Sequence, residues 1–266
     1  MTPVRVAING AAGRMGVELL KAVHQQPECN LVAAIVRAAS GWVGEPLSVA
    51  LGRNAPSIDF GATLDPDTHV DVLIDFSTPE AFDTALAIAV QRRIPFVCGT
   101  TGLDRPHMQA LRESAARIPV LWSANFSLSV ALLKKMSALA AAQLGPEFEA
   151  EILEIHHRFK RDAPSGTALA LGHAIAEARG QVFDEVARMP SHVGESPRAQ
   201  HHIGFAVMRA ADVVGEHTVV FASNGERLEL THRANSRAIF ATGAVRCATW
   251  LAKQRPGWYE VGDALS

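Results

Sequence analysis

The sequence predicts an α/β protein in two parts: a Rossmann-like doubly wound parallel sheet, then a second α+β domain built on a mixed or antiparallel sheet. Three observations carry that expectation. Short apolar runs alternate with helical periodicity through the first half, a glycine-rich turn joins the first run to the first helix, and past Asn125 strand patterns take over. The chain has 266 residues, enough for one large or two modest domains, and 48% of them are apolar against 20% charged, ample for a buried core.

Each element has its own signal. Residues 4–9 form a β-branched run that ends in glycines, and beyond Gly13 the residues Met15, Leu19, Leu20 and Val23 recur at helical spacing as far as about residue 24. Apolar runs at 31–36, 70–76, 94–98 and 118–122 fit buried parallel strands, with alanine-rich crossover helices at 79–91 and 104–116. A helical stretch over 130–143 is closed by Gly145-Pro146, residues 149–155 read as a strand, and 167–178 as a helix. Candidate strands at 203–209, 217–222 and 227–232 read as antiparallel, the Asn224-Gly225 pair supplying the positive φ angles of a tight hairpin. Residues 238–253 return to a helical pattern long enough to pack back on the first domain. The expected boundaries are 1–126, completed by 236–266, and 127–235.

Charge and cysteine content narrow the function. Lys and Arg number 25 against 27 Asp and Glu, a formal charge of −2 with no basic block, which argues against nucleic acid and membrane partners. Cys29, Cys98 and Cys247 are odd in number and form no Cys-x-x-Cys pair, so neither a disulfide framework nor a zinc knuckle is indicated. With no basic leader before a long apolar run at the N-terminus, a cytoplasmic location is expected.

Two segments carry chemistry. Gly10-Ala11-Ala12-Gly13-Arg14-Met15-Gly16 follows a strand and opens a helix, the setting in which glycines let a dinucleotide pyrophosphate approach backbone N–H groups at a positive helix end. The plain alternative is a turn that binds nothing. At the end of the second strand stand Val36 and Arg37; no acid is there to accept a ribose 2′-hydroxyl, whereas Arg37, helped by Arg14, can pair with a 2′-phosphate, so NADPH is expected over NADH. The second segment, Glu154 to Ala168, crowds His156, His157, Arg158, Lys160, Arg161 and Asp162 ahead of a helix start at Pro164-Ser165-Gly166-Thr167. Ser165 or Thr167 is a plausible cap, the free N–H groups suit a substrate carboxylate, and Lys160 and a histidine suit proton exchange. The adjacent histidines lack the i, i+4 spacing of a helical zinc pair, and no metal is expected.

These residues resemble the 4-hydroxy-tetrahydrodipicolinate reductase (dihydrodipicolinate reductase) family of diaminopimelate and lysine biosynthesis. The likeness runs the length of the chain: the glycine turn, Asp75-Phe76-Ser77, Gly99-Thr100-Thr101-Gly102, Ser123-Ala124-Asn125-Phe126-Ser127, the string Lys160 to Ala168 and Val214-Gly215-Glu216-His217-Thr218. It implies reduction of (2S,4S)-4-hydroxy-2,3,4,5-tetrahydrodipicolinate, with loss of water, by a homotetramer. By resemblance His156 is the proton donor or acceptor and Lys160 a second proton donor, while His157, Gly166 and Thr167 hold the dicarboxylate. The same resemblance puts Gly10, Ala11, Ala12, Gly13, Arg14, Met15 and Arg37 on the nucleotide, with Gly99, Thr100, Thr101, Ser123, Ala124, Asn125 and Phe126 at its nicotinamide end. Relatives that use NADH well often carry an acid where this chain has Val36, and relatives often carry a polar residue where it has Phe159. Two rival readings are an aldehyde dehydrogenase that uses the Cys98 thiol and a non-catalytic NADP-binding sensor.

Overall fold

A computed structural model describes residues 2–189, 198 and 200–265. The chain divides into two compact units, Met1–Ser127 with Ala238–Ser266, and Leu128–Arg237. The first begins with β1 (Val4–Asn9), α1 (Arg14–His24), β2 (Cys29–Ile35), α2 (Ser48–Leu51), β3 (Phe60–Gly61), β4 (Val72–Asp75), α3 (Pro79–Arg92), β5 (Phe96–Cys98), α4 (Arg105–Ser114) and β6 (Pro119–Trp122). Helix starts follow local chemistry. Proline opens the first turn of α3, and α4 begins with a capping box in which Asp104 accepts from the His107 N–H at 3.1 Å.

The second unit comprises α5 (Leu128–Leu144), β7 (Glu149–His156), α6 (Gly166–Ala178), α7 (Phe183–Val186), β8 (Ala187–Arg188), β9 (Ile203–Arg209), β10 (Gly215–Ser223) and β11 (Glu226–Ala234). Its sheet runs β11-β10-β7-β9-β8. The strands β11, β10 and β7 pair antiparallel, but β9 lies parallel to β7, so residues 203–209 depart from the antiparallel reading. The hairpin differs too. Of Asn224 and Gly225 only Gly225 has a positive φ, 95°, because one left-handed residue at the third turn position suffices for a two-residue loop. Along β7 burial alternates: Ala150 and Ile152 join the core beneath α5 and α6 with Leu171, Ile175 and Phe221, and the same face ends in Glu154 and His156. A period of two thereby carries a carboxylate and an imidazole into a buried place.

The chain then returns to the first unit through α8 (Ala238–Leu251), β12 (Gly257–Tyr259) and a 3₁₀ turn, Val261–Leu265. All strands of that unit's sheet are parallel, in the order β3-β2-β1-β4-β5-β6-β12. Val6, Ile8, Val72, Leu73, Ile74, Phe96, Val97, Val120 and Leu121 have no solvent exposure, as central strands covered on both faces require. The helix α8 packs on α1, β4, β5 and β6. Strand β2 starts at Cys29 because Cys29 and Asn30 already pair with Val4 and Arg5, although neither residue adds an apolar signal. The elements without a sequence signal, α2, β3, α7, β8 and β12, are two to four residues long, too short for any periodicity.

Candidate active site

In the first unit the strand order reverses at β1, with β2 on one side and β4 on the other, which is where doubly wound sheets open a crevice beyond their strand ends. The glycine turn sits at that point. Gly10 and Ala11 donate to the Ile35 carbonyl at 3.0 Å, and Gly10 takes a φ of 79°. A Cβ on Gly10 would lie 2.5 Å from the Phe76 carbonyl oxygen, and one on Gly16 would lie 2.2 Å from that of Gly10, so both must be glycine for α1 to start here. Gly13 caps α1 without a side-chain hydrogen bond, leaving first-turn N–H groups for an anion.

Over this turn opens a cavity of about 670 Å³ lined by Gly10, Ala12, Gly13, Val36 and Arg37, and also by Asn9, Trp42 and Phe76. Ala11 is buried beneath it, and Arg14 and Met15 open α1 outside that lining. The donors, the glycine geometry and the size fit a nicotinamide dinucleotide. Farther along the same strand-end edge, Gly99, Thr100 and Thr101 follow β5, and Ser123, Ala124, Asn125 and Phe126 follow β6. One carboxylate ties this edge together. Asp75, at the end of β4, accepts from Asn9 Nδ2 at 2.7 Å, Ser77 Oγ at 2.6 Å and Thr100 Oγ1 at 2.6 Å, while burial pushes its carboxyl above the ordinary range. A Cβ on Gly99 would strike the Phe76 ring, whose centroid is 5.3 Å from that of Phe126.

In the second unit His156 ends β7 with 11% of its side chain exposed, its Nδ1 buried and 2.5 Å from Glu154 Oε2. The other oxygen of Glu154 accepts from Ser165 N at 3.2 Å and from Arg209 Nη2 at 3.0 Å. Burial pushes the Glu154 carboxyl up, but the contacts with His156, Ser165 and Arg209 prevail and hold it at about 2. The Ser165 hydroxyl caps α6, accepting from Ala168 N, and lies 3.1 Å from His217 Nε2. Burial, reinforced by His156, lowers His217 to about 4, so it is neutral at pH 7. Past His156 the chain turns, Lys160 N donating to the His157 carbonyl at 3.1 Å, and Lys160 Nζ pairs with Asp162 at 2.9 Å. Gly166 and Thr167 form the first turn of α6, and a Cβ at Gly166 would meet only open space. The structure therefore collects His156, His157, Lys160, Gly166 and Thr167 at one end of the second unit's sheet.

Comparison with known proteins shows the family. The profile described as "Dihydrodipicolinate reductase, N-terminus" matches residues 4–126, and "Dihydrodipicolinate reductase, C-terminus" matches residues 129–265. The chain belongs to the dihydrodipicolinate reductase family. Similar proteins named 4-hydroxy-tetrahydrodipicolinate reductase include one from Pseudomonas fluorescens, 47% identical with 98% of each chain covered. Another, from Pseudoalteromonas translucida, is 43% identical over 100% of this chain and 99% of its own. A solved structure, "Dipicolinate bound Dihydrodipicolinate reductase from Paenisporosarcina sp. TG-14", is 25% identical, with a TM-score of 0.76 over 97% of this chain and 98% of that one. Dihydrodipicolinate reductases are pyridine-nucleotide-dependent oxidoreductases of diaminopimelate and lysine biosynthesis, and the Rossmann-like sheet is the nucleotide-binding fold that such a reductase needs.

In this dihydrodipicolinate reductase several residues that the sequence named without a role, or did not single out, take part in the site. Glu154, Arg209, Gly215 and His217 surround His156, and Asn9, Asp75 and Trp42 shape the nucleotide side. Glu154 had a signal, since it shares the alternation of β7 with His156; Arg209 becomes the cross-strand neighbour of His156 only through the parallel pairing of β9 with β7. Carboxylate and imidazole atoms of Glu154, His156 and His217 lie within 4.8 Å of one another, but the guanidinium of Arg209 already occupies one oxygen of Glu154. The thiol reading of Cys98 fails on chemistry. Burial and neighbouring Asp75 push that thiol far up, the opposite of an activated nucleophile. No described helix is long and apolar enough to cross a membrane.

Proposed function

We propose that this reductase converts (2S,4S)-4-hydroxy-2,3,4,5-tetrahydrodipicolinate to tetrahydrodipicolinate, water being lost and one hydride and one proton being added, with NADPH preferred over NADH. The observation that carries the proposal is the convergence of His156, Lys160 and the open α6 start within one unit of a dihydrodipicolinate reductase. When bound, the nicotinamide nucleotide supplies the hydride. Gly10, Ala11, Ala12, Gly13, Arg14 and Met15 receive its pyrophosphate, Gly99 to Thr101 and Ser123 to Phe126 border its nicotinamide end, and Arg37 receives the 2′-phosphate. Val36 beside it offers no carboxylate to a free 2′-hydroxyl.

On the substrate side the N–H groups of Gly166 and Thr167 bind one carboxylate at the positive end of α6, and His157 assists. The relative crystallised with dipicolinate binds a ring dicarboxylate of the same kind. Lys160, on a loop beside that helix start, offers an ammonium to the second anion and a proton to the leaving hydroxyl. The ring C–H proton released as the double bond forms passes to solvent, which reprotonates Lys160, so that one hydride and one proton are added overall. His156 delivers the proton that quenches the charge built up by reduction, a general-acid role typically contributing about 10² to 10⁴ in rate. The protein acts in the cytoplasm as a homotetramer.

The test is a coupled assay with pyruvate, aspartate semialdehyde and the preceding synthase, following NADPH consumption with and without the protein. Rapid consumption that falls severely in His156→Gln and Lys160→Ala, with NADPH binding little changed, is expected. No stimulation over the synthase alone would overturn the proposal.

A further inference from the structure

The geometry around His156 assigns Glu154 a task that composition and spacing did not: we propose that Glu154 is the positioning residue for His156, holding the proton on Nδ1 and so presenting Nε2 as the nitrogen that exchanges a proton with substrate. The inference rests on the proton-transfer role of His156 and extends it to the residue behind it.

Four observations converge. Glu154 and His156 project from the same face of β7, two residues apart, and the carboxylate oxygen lies 2.5 Å from Nδ1. Both atoms are buried and neither has another hydrogen-bond partner among the described residues, so a proton carried on Nδ1 serves both, and a carboxylate held low by Ser165 and Arg209 as well does not take it. The carboxylate is itself fixed. Arg209 on β9 and the N–H of Ser165 at the start of α6 occupy its other oxygen, so it cannot swing away from the ring. Another titratable neighbour, His217 on β10, stands ring to ring with His156 at 5.1 Å, and its Nε2 is directed to Ser165 Oγ, so it does not compete for Nδ1.

The fourth observation concerns the opposite edge of the ring. A Cβ on Gly215 would lie 3.0 Å from His156 Nε2 and 3.2 Å from Cδ2. Glycine at the start of β10 therefore leaves open the space in front of Nε2, while Nδ1 is sealed from solvent. One ring nitrogen is locked and the other cleared. This is the arrangement by which a carboxylate selects a histidine tautomer and orientation, and loss of such a partner costs about 10- to 100-fold in function in metal sites and more in hydrolytic triads.

A double-mutant cycle tests it on the full-length protein, with kcat from the coupled assay and the NADPH Kd from fluorescence. Glu154→Gln keeps an oxygen for Arg209 and Ser165 but presents an amide N–H to Nδ1, forcing the other tautomer. Its kcat is expected to fall at least tenfold with the NADPH Kd unchanged, and its imidazole ¹⁵N signals are expected to report a proton moved from Nδ1 of His156 to Nε2. In a His156→Gln background the same change should cost less than twofold more. Equal losses in both backgrounds, or a wild-type kcat for Glu154→Gln, overturns the inference. If Glu154→Gln does not fold, Gly215→Ala decides: crowding Nε2 should lower kcat in the wild type and do nothing further in His156→Gln, and additive losses overturn the inference. A wild-type kcat for His156→Gln alone instead overturns the catalytic reading on which it rests.

Discussion

Arg37 stands exposed beside buried Val36 at the rim of the nucleotide cavity, where a 2′-phosphate would become its partner. A charge-assisted hydrogen bond contributes about 1.5–3 kcal/mol, or roughly 10- to 100-fold. Arg37→Ala is therefore expected to raise the KM for NADPH by that factor and leave the KM for NADH within about twofold; equal changes for both nucleotides would remove Arg37 from 2′-phosphate recognition. A second residue sets a pH dependence of stability. His217 titrates near 4 in the folded protein, chiefly through burial, against 6.5 in an open chain. Between those values the unfolded state binds more protons, so stability falls as pH drops from 6.5 toward 4, by about 3 kcal/mol when complete at 1.36 kcal/mol per pKa unit. Urea midpoints measured at pH 7.5 and 4.5 should show that fall, and His217→Gln should flatten it. The Glu154 carboxylate acts in a lower window: its stabilising contribution is complete above 4.5 and lost as pH falls through about 2.

Between strand and helix, space is the controlling quantity. At Gly16 an added methyl would sit 2.2 Å from one backbone carbonyl oxygen and 2.5 Å from another, whereas at Gly41 it would meet nothing within 4 Å. Gly16→Ala is expected to destabilise by about 1–3 kcal/mol, the usual overpacking range, and Gly41→Ala by almost nothing, which urea unfolding of the two variants will show. This element-scale contrast also explains what was legible in the sequence. The glycine turn, the buried strands and the capped start of α6 follow from local rules and were readable. The pairing of β9 parallel to β7, the single positive φ at Gly225 and the ring of Glu154, Arg209 and His217 about His156 depend on which strands become neighbours. Asp75 shows the same limit: its residue type was visible beside Phe76 and Ser77, but its hold on Asn9 and Thr100 exists only once β1, β4 and β5 lie side by side.

At the scale of the whole molecule, the second unit's sheet has a face away from α5 and α6 where Leu153 and Met208 are 36% and 50% exposed beside Ile155 and Val220. Self-association through such a face suits the proposed homotetramer, for which light scattering should give about four times the 28.4 kDa chain mass. Leu153→Asp with Met208→Asp is expected to lower that mass to a dimer or monomer; a tetramer in the double variant would place the interface elsewhere. The return of α8 to the first unit has a different kind of consequence. Ala241, Ala244, Val245, Cys247, Ala248 and Leu251 on that helix are buried, and its partners on α1, β4, β5 and β6 precede it by more than a hundred positions. As the chain is synthesised, the leading half emerges from the ribosome first yet is completed last, its apolar flank bare until the whole intervening unit has been translated.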